Sequence, residues 1–118
     1  MKIVANILVA LVALLHAGFL VLEMFLWTSP TGQRVFGRTA AEQESSKVLA
    51  ANQGLYNGFL AAGLAWGLSL GAEGYAIKLF FLGCVIIAWI FGAATASRKI
   101  LYVQALPALI ALAALRLF

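Results

Sequence analysis

The chain has 118 residues, 64% of them hydrophobic and only 10% charged, with a net charge of +4 and a mean hydropathy of +1.03. A wetted globular surface needs far more polar residues, so the composition excludes an ordinary water-soluble domain and describes an integral membrane protein. The eight Lys and Arg residues are scattered at the ends of apolar stretches. That distribution anchors membrane helices and argues against a nucleic-acid partner.

The first apolar stretch runs from Ile3 to Trp27, long enough for a membrane helix of about 20 residues. Lys2 followed by apolar residues resembles a signal peptide, but the stretch is too long for one and lacks a small-x-small cleavage site. Trp27 suits the headgroup boundary, and Thr28-Ser29-Pro30-Thr31-Gly32 reads as a turn that ends the helix. Thr39-Ala40-Ala41-Glu42 fits a capping box, so the second helix starts near Ala40 and continues to Leu70. Its first two turns carry Glu42, Gln43, Glu44, Ser45, Ser46 and Lys47, which are expected in water, with the membrane entered near Val48. Two more apolar stretches follow, Tyr75 to Ala96 and Ile100 to Phe118.

These elements predict an all-α fold of four transmembrane helices, roughly 3–27, 40–70, 75–96 and 100–118, with an extramembrane loop and helix extension over 28–47. The two short connections favour antiparallel neighbours in an up-down bundle forming one domain. Arg34, Arg38, Lys47, Arg98 and Lys99 lie towards one surface, and Lys2, Lys78 and Arg116 towards the other. The excess places segment 28–47 in the cytoplasm of a multi-pass plasma-membrane protein.

Four hydrogen-bonding side chains and two glycines crowd the run Asn52-Gln53-Gly54-Leu55-Tyr56-Asn57-Gly58. Lipid cannot solvate such groups, so the run must face protein, water or a ligand. Counting helical rise back from Trp27 and forward from Val48 places Glu23 level with Asn52, with Gln104 of the fourth helix near the same depth. By the same count, His16 and Asn57 occupy a deeper level. His16 and Glu23 share one helix face, two turns apart. Their separation of about 10 Å along the axis prevents direct bonding and requires a bridging group.

Glu23 and His16 are the candidate proton-transfer residues. An ionised carboxylate near hydrocarbon needs a partner, and an imidazole can donate, accept, move protons or ligate haem iron. The alternative for both is a purely structural role, headgroup snorkelling for Glu23 and an interhelical bond for His16. For Asn52, Gln53 and Asn57 the joining of helices is favoured slightly over contact with a ligand, because amides commonly join membrane helices. The rows Gly54/Gly58/Ala62 and Gly63/Gly67/Gly71 allow close helix approach, and their number favours a homo-oligomer. Cys84 is the only cysteine, and no His/Cys spacing suggests a metal site.

The order His16, Leu22-Glu23-Met24-Phe25-Leu26-Trp27, Val35-Phe36-Gly37 and the run beginning at Asn52 resembles the small bacterial membrane proteins of domain-of-unknown-function family thirteen-zero-four. The resemblance covers nearly the whole chain. It implies four membrane helices in a bacterial inner membrane, and it supplies no reaction.

The expected function is an intramembrane polar site for a small lipophilic or amphipathic ligand, with acid-base chemistry through His16 or Glu23 left open. Its expected lining is His16, Glu23, Asn52, Gln53, Tyr56, Asn57 and Gln104. Three alternatives stand beside it: proton-linked or small-solute transport by an oligomer, haem binding through His16, and assembly within a larger membrane complex.

Overall fold

The computed structural model describes the backbone of residues 2–95 and 98–117, and the side chains of residues 2–92 and 105–117. Every regular element among the described residues is helical: α1 (Lys2–Met24), α2 (Pro30–Phe36), α3 (Ala40–Ser69), a 3-10 turn (Gly71–Gly74), α4 (Tyr75–Thr95) and α5 (Arg98–Leu117). The chain is all-α. Two helical stretches, Lys2–Met24 and Gly71–Gly92, are long and apolar enough to cross a membrane. In α3 the polar groups of Glu42–Lys47 and Asn52–Asn57 interrupt the apolar run, and the described apolar part of α5 is only Ala105–Leu117.

The segment after α1 differs from the expected plain turn. α1 stops at Met24 rather than Trp27, where the amides of Phe25 and Leu26 both donate to the Val21 carbonyl. Ser29, preceding a proline, is extended at φ −76° and ψ 163°, as steric conflict with the proline ring demands. Its hydroxyl accepts from the Gly32 amide, and Pro30 occupies a first-turn position that needs no N–H donor. The residues read as a turn are therefore also a helix start. α2 ends at Gly37, whose φ of 65° is the left-handed conformation that favours glycine, with its amide returning to the Gln33 carbonyl.

The capping box at the head of α3 forms reciprocally. The Glu42 amide donates to Thr39 Oγ1 at 3.2 Å, and the Thr39 amide donates to Glu42 Oε1 at 3.2 Å. At the other end, Gly71 adopts φ 61° after the last turn of α3. It serves as a helix terminator, not as the third member of a packing row with Gly63 and Gly67.

The chain divides into two compact units, residues 16–59 and residues 1–15 with 60–118. The second has the apolar core. Ala5, Val9 and Val12 come from α1, Leu64 from α3, Leu82, Val85 and Trp89 from α4, and Ala108, Ala111 and Leu115 from α5. Their spacing of three and four residues is the helical stripe that burial requires.

The unit of residues 16–59 is held by polar contacts around Trp27. Its indole Nε1 donates to Ser46 Oγ at 3.1 Å, its carbonyl accepts from Gln43 Nε2 at 2.8 Å, and its ring lies 4.6 Å from that of Phe36. Gln43, expected in water, is fully buried. The reason is the premature end of α1: the freed Trp27 carbonyl needs a donor, and Gln43 supplies it.

The cap makes the start of α3 sensitive to acid. The Thr39 amide and hydroxyl hold the Glu42 carboxyl below the ordinary glutamate range. A depressed folded-state pKa contributes stability above the unfolded value, lost as pH falls through the folded one. Hydrogen exchange at the first turn of α3, corrected for intrinsic rates, should lose protection as pH falls below the glutamate range. In Glu42→Gln, which retains a capping side chain without a titrating group, protection should not vary with pH.

Candidate functional site

The site begins with a seam of small residues on α3. Gln43, Ala50 and Gly54 are buried, and Ser46 and Asn57 are half-buried, at spacings of three and four along the helix. This is the period of one helix face. At Gly54 the neighbouring segment approaches so closely that a Cβ would lie 2.8 Å from Met24 Cγ and 3.0 Å from Glu23 Cβ. One turn further, Gly58 lies against the Leu20 side chain.

This approach sets Glu23 opposite Asn57. The Glu23 side chain, on a residue only 4% exposed, accepts from Asn57 Nδ2 at 2.5 Å. A carboxylate out of water needs such a donor, and a hydrogen bond to a charged acceptor is stronger than one between neutral groups. Beside the pair opens a cleft of about 360 Å³. Met24, Phe25, Trp27 and Val48 give it apolar walls, while Glu23, Thr28 and Lys47 supply polar groups. Lys47 is also paired with Glu44 on the exposed side of α3.

The pairing differs from the sequence arithmetic, which set Glu23 beside Asn52 and Asn57 towards His16. Residues 25–27 are not helical, so counting helical rise back from Trp27 misplaces Glu23. The observed partner Asn57 lies five residues beyond Asn52 on α3, about 140° further round the helix. Asn52, Gln53 and Tyr56 consequently fall off the seam and are exposed, Tyr56 with its ring 6.1 Å from that of Phe59. His16 is buried at 1% exposure, with its ring edge-on to Phe19 at a centroid distance of 6.4 Å. It does not line the cleft beside Glu23. The Gln104 side chain lies outside the described residues.

Of the expected set, the structure brings together Glu23 and Asn57. It adds Gln43, Trp27, Thr28 and Lys47, which the sequence reading assigned to a boundary, a turn and a solvated extension. The signal that could have found Gln43 is the spacing of the least bulky α3 residues, since Ser46, Ala50, Gly54 and Asn57 continue its face. Among the described residues, no group of three or more His, Cys, Asp or Glu side chains could hold a metal ion.

The sequence profile of the family described as Protein of unknown function (DUF1304) matches residues 10–116. The chain is also similar to Uncharacterized protein YpaA of Lactococcus lactis subsp. lactis (strain IL1403), 34% identical over 114 residues that cover 95% of this chain and 96% of that protein. No solved structure matches it.

Removing the donor should expose the dependence of Glu23 on Asn57. Asn57→Leu leaves a buried carboxylate without its partner and should lower stability by about 2 kcal/mol. Glu23→Leu combined with Asn57→Leu should be less destabilised than the sum of the two single changes. A double-mutant cycle of unfolding in mixed micelles checks this, and strict additivity would refute the coupling.

Proposed function

This chain belongs to the DUF1304 family, and on that premise we propose that it is a multi-pass integral membrane protein whose cleft beside Glu23 binds a small amphipathic molecule. The membrane setting is supported by two span-length apolar helices and by the surface the fold leaves uncovered. Ile3, Ile7, Leu11 and Leu14 form an exposed stripe along α1, and Phe80, Ile87, Ile90 and Phe91 are exposed on α4. Water tolerates contiguous apolar faces of this kind poorly, whereas lipid solvates them. In this reading α3 and α5 complete four transmembrane helices in an up-down bundle in a bacterial plasma membrane. Segment 28–47, with Arg34, Arg38 and Lys47, is then cytoplasmic.

The observation that carries the ligand reading is a buried carboxylate at the edge of a cleft that is otherwise largely aromatic and aliphatic. A molecule with an apolar body can lie along Met24, Phe25, Trp27 and Val48 and present a hydrogen-bond donor to Glu23. If a proton is transferred there, Glu23 carries it. His16 does not line that cleft. Mass spectrometry of lipid extracts from the purified chain should find a small amphipathic compound at near-stoichiometric amounts. Val48→Trp, which fills the cleft from a highly exposed position, should leave the chain folded and abolish that compound. Equal retention by wild type and Val48→Trp would overturn the reading.

A second reading rests on Asn52, Gln53 and Tyr56. All three are exposed on α3 within the proposed span, where lipid offers them no hydrogen bonds. A second copy of the chain satisfies them best, because identical amides can donate and accept across a symmetric helix pair. Single-molecule photobleaching in lipid nanodiscs should show more than one chain per particle for wild type. Joint replacement of Asn52 and Gln53 by Leu should give single chains, and a monomeric wild type would refute the self-association.

A further inference from the structure

Lys78, which the sequence placed with the surface anchors, is one of four polar or charged residues that are buried among the described residues. It is 5% exposed, in the first turn of α4, within the unit of residues 1–15 and 60–118. Gly67 makes room for its stem, since a Cβ there would lie 2.7 Å from Lys78 Cγ. Its ammonium donates to Asn6 Oδ1 at 3.0 Å. An ammonium has three donors, and Asn6 is a neutral acceptor. Among the described residues Lys78 has no ion pair.

A buried ammonium that meets only a neutral acceptor leaves much of its charge uncompensated, which is costly. The surroundings show where a counter-charge can enter. Lys78 lines a cleft of about 330 Å³, together with Lys2, Asn6 and Tyr75. No described lining residue is acidic, and Glu73 of the adjoining 3-10 turn points to solvent without lining the cleft. Two amines, an amide and a phenol, set among Ala5 and Leu115, offer several donors to a compact oxyanion. Gly71 and Ala72, the smallest side chains, complete the lining.

We propose that the cleft formed by Lys2, Asn6, Tyr75 and Lys78 binds a phosphate group, carried either by an anionic lipid headgroup or by a small soluble molecule. This site is separate from the cleft beside Glu23. The lipid source rests on the membrane reading above, and the soluble source does not.

The test uses the full chain in a neutral detergent. Inorganic phosphate is titrated against chloride at matched ionic strength, and phosphatidylglycerol against phosphatidylcholine in mixed micelles, with thermal unfolding and native mass spectrometry as readouts. Saturable stabilisation by either phosphate-bearing probe over its control is expected. Stabilisation by inorganic phosphate identifies a soluble ligand, and stabilisation by phosphatidylglycerol alone identifies a headgroup. Lys78→Met keeps the stem and removes the charge, and it should weaken binding at least about tenfold, as should the joint loss of Lys2 and Lys78. Should Lys78→Met fail to fold, Lys2→Gln at the exposed rim provides the same test and should weaken binding several-fold, whereas Glu73→Gln should bind as wild type does. No response of wild type to either probe, or equal binding by wild type and the lysine variants, overturns the proposal. If the chain fails to enter phosphatidylcholine vesicles yet responds to inorganic phosphate, the membrane reading fails and the oxyanion site stands.

Discussion

The closeness of α3 to the end of α1 within residues 16–59 is set by side-chain size. At Gly54 no Cβ fits without displacing Met24 and Glu23, and at Gly58 none fits without displacing Leu20. That proximity brings Asn57 within bonding reach of a carboxylate that has left water. It also decides which polar groups of α3 are available elsewhere, because a helix that turns Gly54 and Asn57 inward must turn Asn52 and Tyr56 outward. Site and exposed polar face follow from one choice of helix rotation.

Trp27 fixes the same rotation from the other direction. The indole and the carbonyl of this one residue hold Ser46 and Gln43, three residues apart on α3 and on the seam that continues through Ala50 and Gly54. The bond from Gln43 is not available to a tryptophan inside a continuous helix, whose carbonyl accepts from its own chain. The early end of α1, the extended Ser29 and the start of α2 at Pro30 are thus what make Trp27 a clamp. Gln43 is nevertheless incompletely satisfied, as its Oε1 is buried with no partner among the described residues. The clamp gains orientation at the expense of one acceptor, a pattern in which a buried amide specifies register more than it adds stability.

Helical content and the capping box at Thr39 and Glu42 were legible in the sequence because each depends on local spacing. Rotation was not. A one-dimensional count assumes helical rise throughout, and the five non-helical residues after Met24 break that assumption. Ser29-Pro30 was ambiguous for a different reason: the same residues that end one helix are those that begin another. Lys78 shows the limit most sharply. Nothing around it in sequence marks burial, which depends on Gly67, eleven positions earlier, and on Asn6 at the far end of the chain.

The two clefts are opposite in chemical character, and each departs from the chain's average in its own way. Around Glu23 an acceptor faces apolar walls, suited to a molecule that brings a donor on a lipophilic body. Around Lys78 donors outnumber acceptors, suited to a molecule that brings charge. A net charge of +4 in so apolar a chain gives no reason to bury any of it. Removing an ammonium from water is unfavourable unless its field is used, and Asn6 uses only part of it. Selection for packing alone would favour Met or Leu at position 78, where the stem already lies against Gly67. A ligand at this cleft would use the part of the field that Asn6 leaves.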